Sequence, residues 1–330
     1  MTYSRRDFGK MAFVSLPLTR LLAQKVDGVQ LGVCTYSFRT LPHAPGGDAV
    51  DAVVQAMKEC GANDCELFSP QLEPANPMMG GPPNRGANPG AGGPPADPQA
   101  RAAAMRARMN SPEAKKARED LRQWRLNTPM EHFHAVRKKF DDAGINIFAY
   151  TLNFRDDFTD EELDKCFEQT KALGAKVIAS STQLTVAKRL APFAEKHQQL
   201  VALHGHSNTR DPNEFSSPNT FQQALDMSKW FRINLDIGHF AAADFDPVAY
   251  IQEKHDKITH LHMKDRKKND GPNMSFGEGD TPIKQVLLLL KDKRYPIPAF
   301  IEYEYRGTGT PVEEVKKCLA YEKAALQQNA

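Results

Sequence analysis

The sequence of 330 residues lacks the signatures of several common protein classes. No GxGxxG motif follows the first predicted strand, where a dinucleotide-binding sheet needs one. No GxSxG element surrounds Ser180 and Ser181, so a serine hydrolase is disfavoured. The five cysteines form no CxxC pair, and their odd number leaves at least one unpaired in a monomer: Cys34, Cys60, Cys65, Cys166 and Cys318. We therefore expect free buried thiols rather than a disulfide framework.

Strong net charge and long apolar runs are also missing. Lys and Arg number 43 and Asp and Glu 41, which gives a net charge of +2. This balance argues against a nucleic-acid partner, which needs an excess of positive charge to neutralise phosphates. A modest apolar stretch, Met11–Leu22, is interrupted by Pro17 and Arg20 and is too short to span a bilayer as a stable helix. With 40% hydrophobic and 25% charged residues, the composition is that of a soluble globular protein.

The first residues have the features of a targeting segment. Residues 4–10, SRRDFGK, resemble a twin-arginine export signal, and the apolar stretch behind them ends at Ala23. We expect residues 1–24 to be a removable signal peptide and the mature protein to be periplasmic or secreted. The alternative is a charged N-terminal helix of a cytoplasmic protein.

Behind the leader, strand-like apolar runs alternate with helical patterns. The predicted strands are Val29–Cys34, Asp64–Phe68, Ile145–Tyr150, Ala175–Ala179, Leu200–His204, Arg232–Asp236, Lys257–His262 and Ala299–Tyr303. The predicted helices are Asp48–Cys60, Pro112–Trp124, Pro129–Ala143, Glu161–Leu173, Val186–Lys196, Thr220–Lys229, Pro247–His255, Ile283–Asp292 and Pro311–Gln327. Strict alternation of eight strands with helices predicts a single α/β domain over residues 25–330, a (β/α)8 TIM barrel. A doubly wound open sheet is the alternative.

One segment interrupts this rhythm. Residues 74–112, after the second predicted strand, are rich in Pro, Gly, Ala, Asn and Arg. Such a composition buries too little apolar surface to offset chain entropy, so we expect a disordered insertion. In a barrel it would lie over the catalytic face, either as a tolerated surface insertion or as a lid or partner-binding segment.

Four predicted strands end in side chains of the metal-ligand type. His204, Asp236, His262 and Glu302 are separated by 32, 26 and 40 residues, which suits one strand, one helix and two loops. Strand ends on one barrel face converge, so these four side chains can meet around one divalent ion. A mixed nitrogen and oxygen set suits Mn, Mg, Co, Fe or Zn. Each residue alone could be structural, but four such residues at successive strand ends favour a metal site, because buried carboxylates need partners.

The same strand ends resemble a known superfamily. The motifs are LGVCTYSF (31–38), CELF (65–68), AGINIFAY (143–150), LDIGHF (235–240), HLHMKDR (260–266) and FIEYE (300–304). They resemble the xylose-isomerase-like barrels called sugar phosphate isomerases/epimerases, over nearly the whole chain after Lys25. The resemblance implies a small-molecule carbohydrate substrate and often a homo-oligomer. It places metal ligands at Asp236, His262 and Glu302.

The remaining site residues follow from the same comparison and from the chemistry. The substrate-contacting histidine of the superfamily falls on His239, and Lys264 lies where polar substrate contacts are common. Further candidates for contacts to sugar hydroxyls are Tyr36, Glu66 and His206. The catalytic candidates are Glu302, His204 and Glu304, which would move the proton next to a ketose carbonyl.

His204 departs from the pattern. Epimerases of this superfamily usually carry glutamate at the end of the fifth strand, as ligand and as acid/base, so a symmetric two-carboxylate epimerase is put in doubt. The HGHSN sequence at 204–208 resembles a branch of exported enzymes that act on 3-keto-glycosides by elimination or hydration. We expect a divalent-metal-dependent isomerase, epimerase or lyase that acts through an enediolate on a keto sugar or 3-keto-glycoside.

Two other functions share the fold. A non-catalytic sugar-binding barrel would explain the change to His204. A metal phosphodiesterase of the endonuclease IV type would need further histidines and glutamates on the early strands, and the third and fourth predicted strands end without them in FAYTLNF and VIASST.

Overall fold

The computed structural model describes residues 25–44, 47–74, 107 and 110–327. The predicted signal peptide and most of the predicted insertion therefore lie outside the described residues. The predicted domain boundaries remain predictions.

Eight parallel strands close into a barrel, as predicted. The strands are β1 Lys25–Val26, β2 Val29–Cys34, β3 Asp64–Phe68, β4 Asn146–Thr151, β5 Val177–Ser180, β6 Leu200–His204, β7 Phe231–Asp236, β8 Ile258–Met263, β9 Asp265–Arg266, β10 Asn273–Met274 and β11 Ala299–Ile301. Each of β2 to β7 pairs with the next strand, β8 pairs with β11, and β11 returns to β2. The short β1 pairs antiparallel with β2, and β9 with β10.

Helices connect the barrel strands. They are α1 Val50–Cys60, α2 Pro112–Asn127, α3 Met130–Asp142, α4 Asp160–Ala172, α5 Leu184–His197, α6 Pro218–Leu225, α7 Ile237–Ala242, α8 Pro247–Lys254, α9 Ile283–Lys293 and α10 Pro311–Gln327. In α1, Val50, Val53 and Met57 are buried at helical spacing, and the helix ends at Gly61 with φ +66°. Glycine adopts this left-handed conformation without a steric penalty, which is why it ends helices so often.

The prediction of a helix over Thr220–Lys229 was wrong in its bounds. Helix α6 begins at Pro218, because Ser217 caps it and exchanges hydrogen bonds with Thr220 in a capping box. It ends at Leu225, four residues before the predicted end. The short helix α7 was not predicted; the side chain of Asp236 caps its start by accepting a hydrogen bond from the His239 backbone N–H.

Aromatic rings fill the barrel below the carboxyl ends of the strands. Phe148, His260 and Phe300 pack against one another with ring centroids 5.4–5.6 Å apart. Gly32 on β2 makes room for this layer, since a Cβ there would lie 2.5 Å from the Phe300 ring. The layer closes the floor beneath the strand ends. Among the residues that the structure describes, no helix has both the length and the apolarity to cross a bilayer.

Candidate active site

The four predicted ligands meet at the carboxyl ends of the strands. His204 and Asp236 are the last residues of β6 and β7, His262 is the penultimate residue of β8, and Glu302 directly follows β11. Each offers one ligand atom, and these atoms all lie within 4.8 Å of one another. All four residues are at least 93% buried. The structure thus brings the predicted set together, and its metal-binding role remains to be tested.

A buried asparagine sets the protonation of His204. The Nδ1 atom of His204 lies 2.7 Å from Oδ1 of Asn234, which is fully buried on β7. Because a carbonyl oxygen only accepts, Nδ1 carries the proton and Nε2 keeps its lone pair. Burial, with the nearby His262, lowers the pKa of His204 to about 4, so the ring is neutral. A neutral imidazole with a free Nε2 and an oriented Nδ1–H is the state that binds metals.

His262 lies between two carboxylates. Its Nε2 is 2.7 Å from Oε2 of Glu66, and its Nδ1 is 3.2 Å from Oε2 of Glu302. Burial alone would lower the pKa of His262, but the two carboxylates outweigh it and raise that pKa well above its usual value. With Nε2–H donated to Glu66, Nδ1 is the atom that faces the other candidate ligands. This is the carboxylate–histidine arrangement common behind metal sites.

Glu66 is engaged on both oxygens. Oε2 also lies 2.6 Å from Nε2 of His260, and Oε1 accepts a hydrogen bond from the Thr151 hydroxyl at 2.6 Å. Burial alone would raise the pKa of Glu66, but the histidines lower it well below its usual range. Glu66 lines the cavity, yet its contacts are those of a residue that orients His262. Its predicted contact to a sugar hydroxyl remains a prediction.

Lys264 supplies the positive charge at the centre of the site. Its Nζ lies 2.6 Å from Glu304, 2.7 Å from Glu302 and 3.1 Å from Asp236. Burial alone would lower the pKa of Lys264, but these carboxylates raise it well above its usual value. In turn, burial would raise the pKa values of Glu302 and Glu304, and Lys264 outweighs it and lowers both.

One oxygen of Asp236 has no hydrogen-bond donor. Oδ1 accepts the His239 backbone N–H at 2.7 Å, whereas Oδ2 is buried without a hydrogen bond and meets Lys264 only as an ion-pair contact. Burial raises the pKa of Asp236 to about 6, so the side chain is largely ionised at neutral pH. A buried carboxylate oxygen left without a donor is costly unless a cation binds there.

The net charge of the cluster is a second indication of a cation site. The buried groups charged at neutral pH are Glu66, Asp236, Glu302, Glu304, His262 and Lys264. In the metal-free protein four negative charges face two positive ones, an excess of two. Ligation through Nδ1 would require His262 to lose one proton, because a protonated imidazole has no lone pair, and the excess would then be three. A divalent cation would offset most of this excess. Together with the unpartnered oxygen of Asp236 and the lone pair of His204, the residues present fit a metal ion.

Within the part of the chain that the structure describes, two other groups of side chains approach metal-ligand spacing. Cys34, Glu66 and His262 form one group, but burial raises the pKa of the Cys34 thiol to about 12, so the thiolate needed for ligation is disfavoured. His204, His206 and His239 form the other. His206 lies farther out, with Nε2 3.2 Å from the Ser181 hydroxyl.

A cavity of about 150 Å³ opens above these residues. The predicted site residues that line it are Tyr36, Glu66, His204, His206, His239, His262, Lys264, Glu302 and Glu304. A wider groove of about 830 Å³ lies next to it and shares Ser181 and His206. The loops after β5 and β6 form one wall of the groove, tied together by a backbone bridge between Gln183 and Glu214.

Sequence reasoning missed several residues of this site, among them Asn234 and Arg266. Asn234 lies two positions before Asp236 and so shares its face of the strand, a signal that could have been used. Arg266 contacts the ring of His239. It follows the HLHMKD motif directly, but nothing in the sequence indicates which residue its side chain meets.

Parts of this sequence are similar to known proteins. Residues 114–324 match the model of the family described as xylose isomerase-like TIM barrel. L-ribulose-5-phosphate 3-epimerases UlaE of Salmonella choleraesuis and Escherichia coli are 32% identical over 97 residues, which is 29% of this chain. The match spans about a third (34%) of the length of these curated relatives.

Solved structures resemble the whole barrel. The IolI protein with a bound zinc atom has a TM-score of 0.58 at 13% identity, over 90% of this chain and 98% of the other. The probable 3-DHS dehydratase AsbF of Bacillus anthracis has a TM-score of 0.57 at 14% identity, over 91% and 99%. At these identities the likeness concerns the fold alone. The match of the family model over most of the described residues shows that the chain belongs to the xylose isomerase-like TIM barrel family.

Proposed function

We propose that the protein is a divalent-metal-dependent enzyme that removes the proton next to the carbonyl of a keto sugar or 3-keto-glycoside. The observation that carries the proposal is the buried gathering of His204, Asp236, His262 and Glu302 with two unbalanced negative charges. These four residues would hold the ion. A bound divalent cation would supply Lewis acidity toward a carbonyl and a neighbouring hydroxyl. The zinc atom in the IolI neighbour and the names of the epimerase and dehydratase relatives support this class.

Glu304 is the base that the geometry favours. It lines the cavity but is not among the four ligands, and its side chain is 21% exposed. Lys264 holds it ionised at 2.6 Å, so it is ready to accept a proton at neutral pH. The cost of a lowered pKa is weaker basicity, which a substrate proton acidified by an adjacent carbonyl would offset.

His204 is a poor second base. Its Nδ1–H is donated to Asn234, and its Nε2 would be used by the ion, so neither nitrogen is free to carry a proton. Epimerisation by proton exchange across two faces needs two such groups. Chemistry that needs one base, isomerisation or β-elimination, therefore suits this site better than two-base epimerisation.

The inner cavity favours an unphosphorylated sugar ring, and the adjoining groove leaves room for a substituent. A volume of about 150 Å³ holds one six-membered ring, and the adjoining groove would hold its substituent. Among the described residues that line the inner cavity, Lys264 is the basic one of the Lys/Arg type, and three carboxylates already engage it. A phosphate would thus lack a free cation there. The groove is polar, with Gln183, Glu214, Arg118 and Arg155 on its wall, and suits a second sugar.

A 3-keto-glycoside would undergo β-elimination at this site. Glu304 takes the proton from C2, and the electrons of that bond form the C1–C2 double bond. The C1–O bond breaks, and the released alkoxide takes up a proton to leave as the free alcohol. The products are that alcohol and an unsaturated 3-keto sugar. Tyr36 and His206 line the cavity where the ring hydroxyls would lie.

A chromogenic substrate tests the proposal. The Mn²⁺-loaded protein should release nitrophenol from p-nitrophenyl 3-keto-β-D-glucoside and not from the unoxidised glucoside, which has no carbonyl to acidify C2–H. Glu304→Gln should lose this release while it still binds metal. Saturable binding without release, and without exchange of C2–H for solvent deuterium, would favour the non-catalytic sugar-binding barrel.

We also propose that residues 1–24 direct export to the periplasm. The twin-arginine pair Arg5-Arg6 supports this, and replacement of both by lysine should retain the protein in the cytoplasm. Export that continues in this variant would contradict the proposal.

A further inference from the structure

The ring of His239 lies between two cationic side chains. Nη1 of Arg266 is 2.6 Å from Nδ1 of His239, and Nζ of Lys264 is 3.2 Å from Nε2. A guanidinium and an ammonium can only donate hydrogen bonds. A neutral imidazole has one acceptor nitrogen, and a protonated imidazole has none. Only one of these two contacts can therefore be a hydrogen bond.

Arg266 is fixed by other contacts. Its Nε and Nη2 donate to the Gly271 carbonyl at 3.1 and 2.6 Å, and its Nη1 also donates to the Ser207 hydroxyl at 2.8 Å. The residue is 92% buried. The neighbouring Asp265 holds the loop by accepting three backbone N–H groups, at 2.8, 3.0 and 3.2 Å. The guanidinium thus has little freedom to retreat from Nδ1.

Lys264 has closer partners than His239. Its ammonium lies 2.6 Å from Glu304 and 2.7 Å from Glu302, whereas Nε2 of the ring is 3.2 Å away. The ring is therefore the weakest of these three contacts. The shorter contact, to Arg266, is therefore the hydrogen bond, and Nδ1 of His239 is the acceptor.

We propose that Arg266 is a positioning residue that holds His239 with its proton on Nε2. In this tautomer Nε2 has no lone pair, so His239 is neither a metal ligand through Nε2 nor a base. Nε2 lies 3.9 Å from Asp236 Oδ2, too far for a hydrogen bond, and the ring lines the cavity. Its N–H is therefore a donor available to a substrate oxygen.

His204 and His239 face the same cavity in opposite tautomers. Asn234 accepts from Nδ1 of His204 and leaves Nε2 as a lone pair, whereas Arg266 donates to Nδ1 of His239 and leaves Nε2–H as a donor. His204 can thus bind a cation through Nε2, and His239 can donate its Nε2–H to an oxygen that gains negative charge. The assignment to a substrate oxygen rests on the proposed function. The tautomer itself does not.

Nitrogen NMR of the histidine rings tests the inference on protein labelled with ¹⁵N-histidine, metal-free and loaded with diamagnetic Zn²⁺. The variant His239→Gln identifies the His239 signals by their loss. We expect Nδ1 of His239 in the range of unprotonated ring nitrogens and Nε2 in the range of protonated ones. In Arg266→Met these shifts should move toward the other tautomer, and Arg266→Lys should move them less. Zinc should shift His204 far more than His239.

The outcomes separate this inference from the proposed function. A proton on Nδ1 of His239 in the unmutated protein, or shifts that Arg266→Met leaves unchanged, would overturn the role of Arg266. A zinc-induced shift at His239 as large as that at His204 would do the same, because it would make His239 a ligand. In the nitrophenol assay, His239→Gln keeps an N–H near the position of Nε2 and should lose less kcat than His239→Leu. Equal losses would remove the donor role. The expected tautomer without turnover would support the inference and contradict the proposed function.

Discussion

Replacement of Asn234 by leucine should weaken metal binding without touching a ligand. Asn234 is fully buried and its Oδ1 accepts the Nδ1–H of His204 at 2.7 Å. Leucine has similar size but no acceptor, so His204 loses the group that fixes its tautomer and orientation. The proton can then sit on Nε2, where it blocks ligation.

The size of the effect follows from this single hydrogen bond. Removal of a residue that orients a metal ligand typically costs 10–100-fold in metal affinity, and at about 1.4 kcal/mol per tenfold this is roughly 1.4–2.7 kcal/mol. A buried N–H left without an acceptor costs about 1–3 kcal/mol, which is consistent with that range. The other contact of Asn234, from Nδ2 to the His260 carbonyl, is long at 3.5 Å and contributes less.

Titration calorimetry with Mn²⁺ and with Zn²⁺ measures the change. Asn234→Asp is the matched control, because it keeps an oxygen against Nδ1 and should retain most of the affinity. Circular dichroism of the two variants checks that both remain folded. Affinity in Asn234→Leu within about twofold of the unmutated protein, with a folded barrel, would refute the reasoning about His204.

Three further substitutions test other parts of the account. Lys264→Met leaves three buried carboxylates without their cation and should destabilise the metal-free protein by about 3–5 kcal/mol. In thermal unfolding, Mn²⁺ should recover part of this loss. An equal loss with and without Mn²⁺ would contradict the idea that Lys264 and the ion neutralise the same carboxylates. Glu322 is fully buried in α10 with neither oxygen hydrogen-bonded, and burial raises its pKa well above the usual value. The protonated side chain of Glu322 therefore stabilises the folded protein. This contribution is fully present below the unfolded-state pKa of about 4.3 and is lost as the pH rises through the higher folded-state pKa. Glu322→Met should accordingly raise the free energy of unfolding by about 1–3 kcal/mol at neutral pH and by less in acid. Urea unfolding at both pH values measures this, and a lower free energy of unfolding at neutral pH would contradict it. Gly32→Ala places a Cβ 2.5 Å from the Phe300 ring and should cost about 1–3 kcal/mol in the same assay; an unchanged free energy of unfolding would show that the aromatic layer can shift.

The sequence predicted the barrel because periodicity and strand–helix alternation report on it directly. The ends of β6 and β7 were also predictable, since each strand stops at a histidine or an aspartate, and the end of β8 was predicted to within one residue. The bounds of α6 were not, because Ser217 and Thr220 compete with the apolar pattern and set the start of the helix by local hydrogen bonds. The short helix α7 overlaps the LDIGHF motif and was not recognised as a helix.

The partners of the site residues were harder to predict than the residues themselves. That His204 and His262 approach one another follows from the barrel, whereas their protonation depends on Asn234 and Glu66, which the sequence does not pair with them. Lys264 was predicted to contact substrate, and its three carboxylate partners come from two different strand ends, those of β7 and β11. Such contacts depend on side-chain rotamers, which the sequence pattern does not encode.

Metal content measured by elemental analysis tests the central claim most directly. Protein refolded or expressed with Mn²⁺ or Zn²⁺ and then dialysed should retain one divalent ion per chain. Asp236→Asn and His262→Gln should remain folded and retain almost none, because each removes one of the four gathered ligands. An unmutated protein that binds no divalent ion, or variants that retain the full complement, would contradict the account.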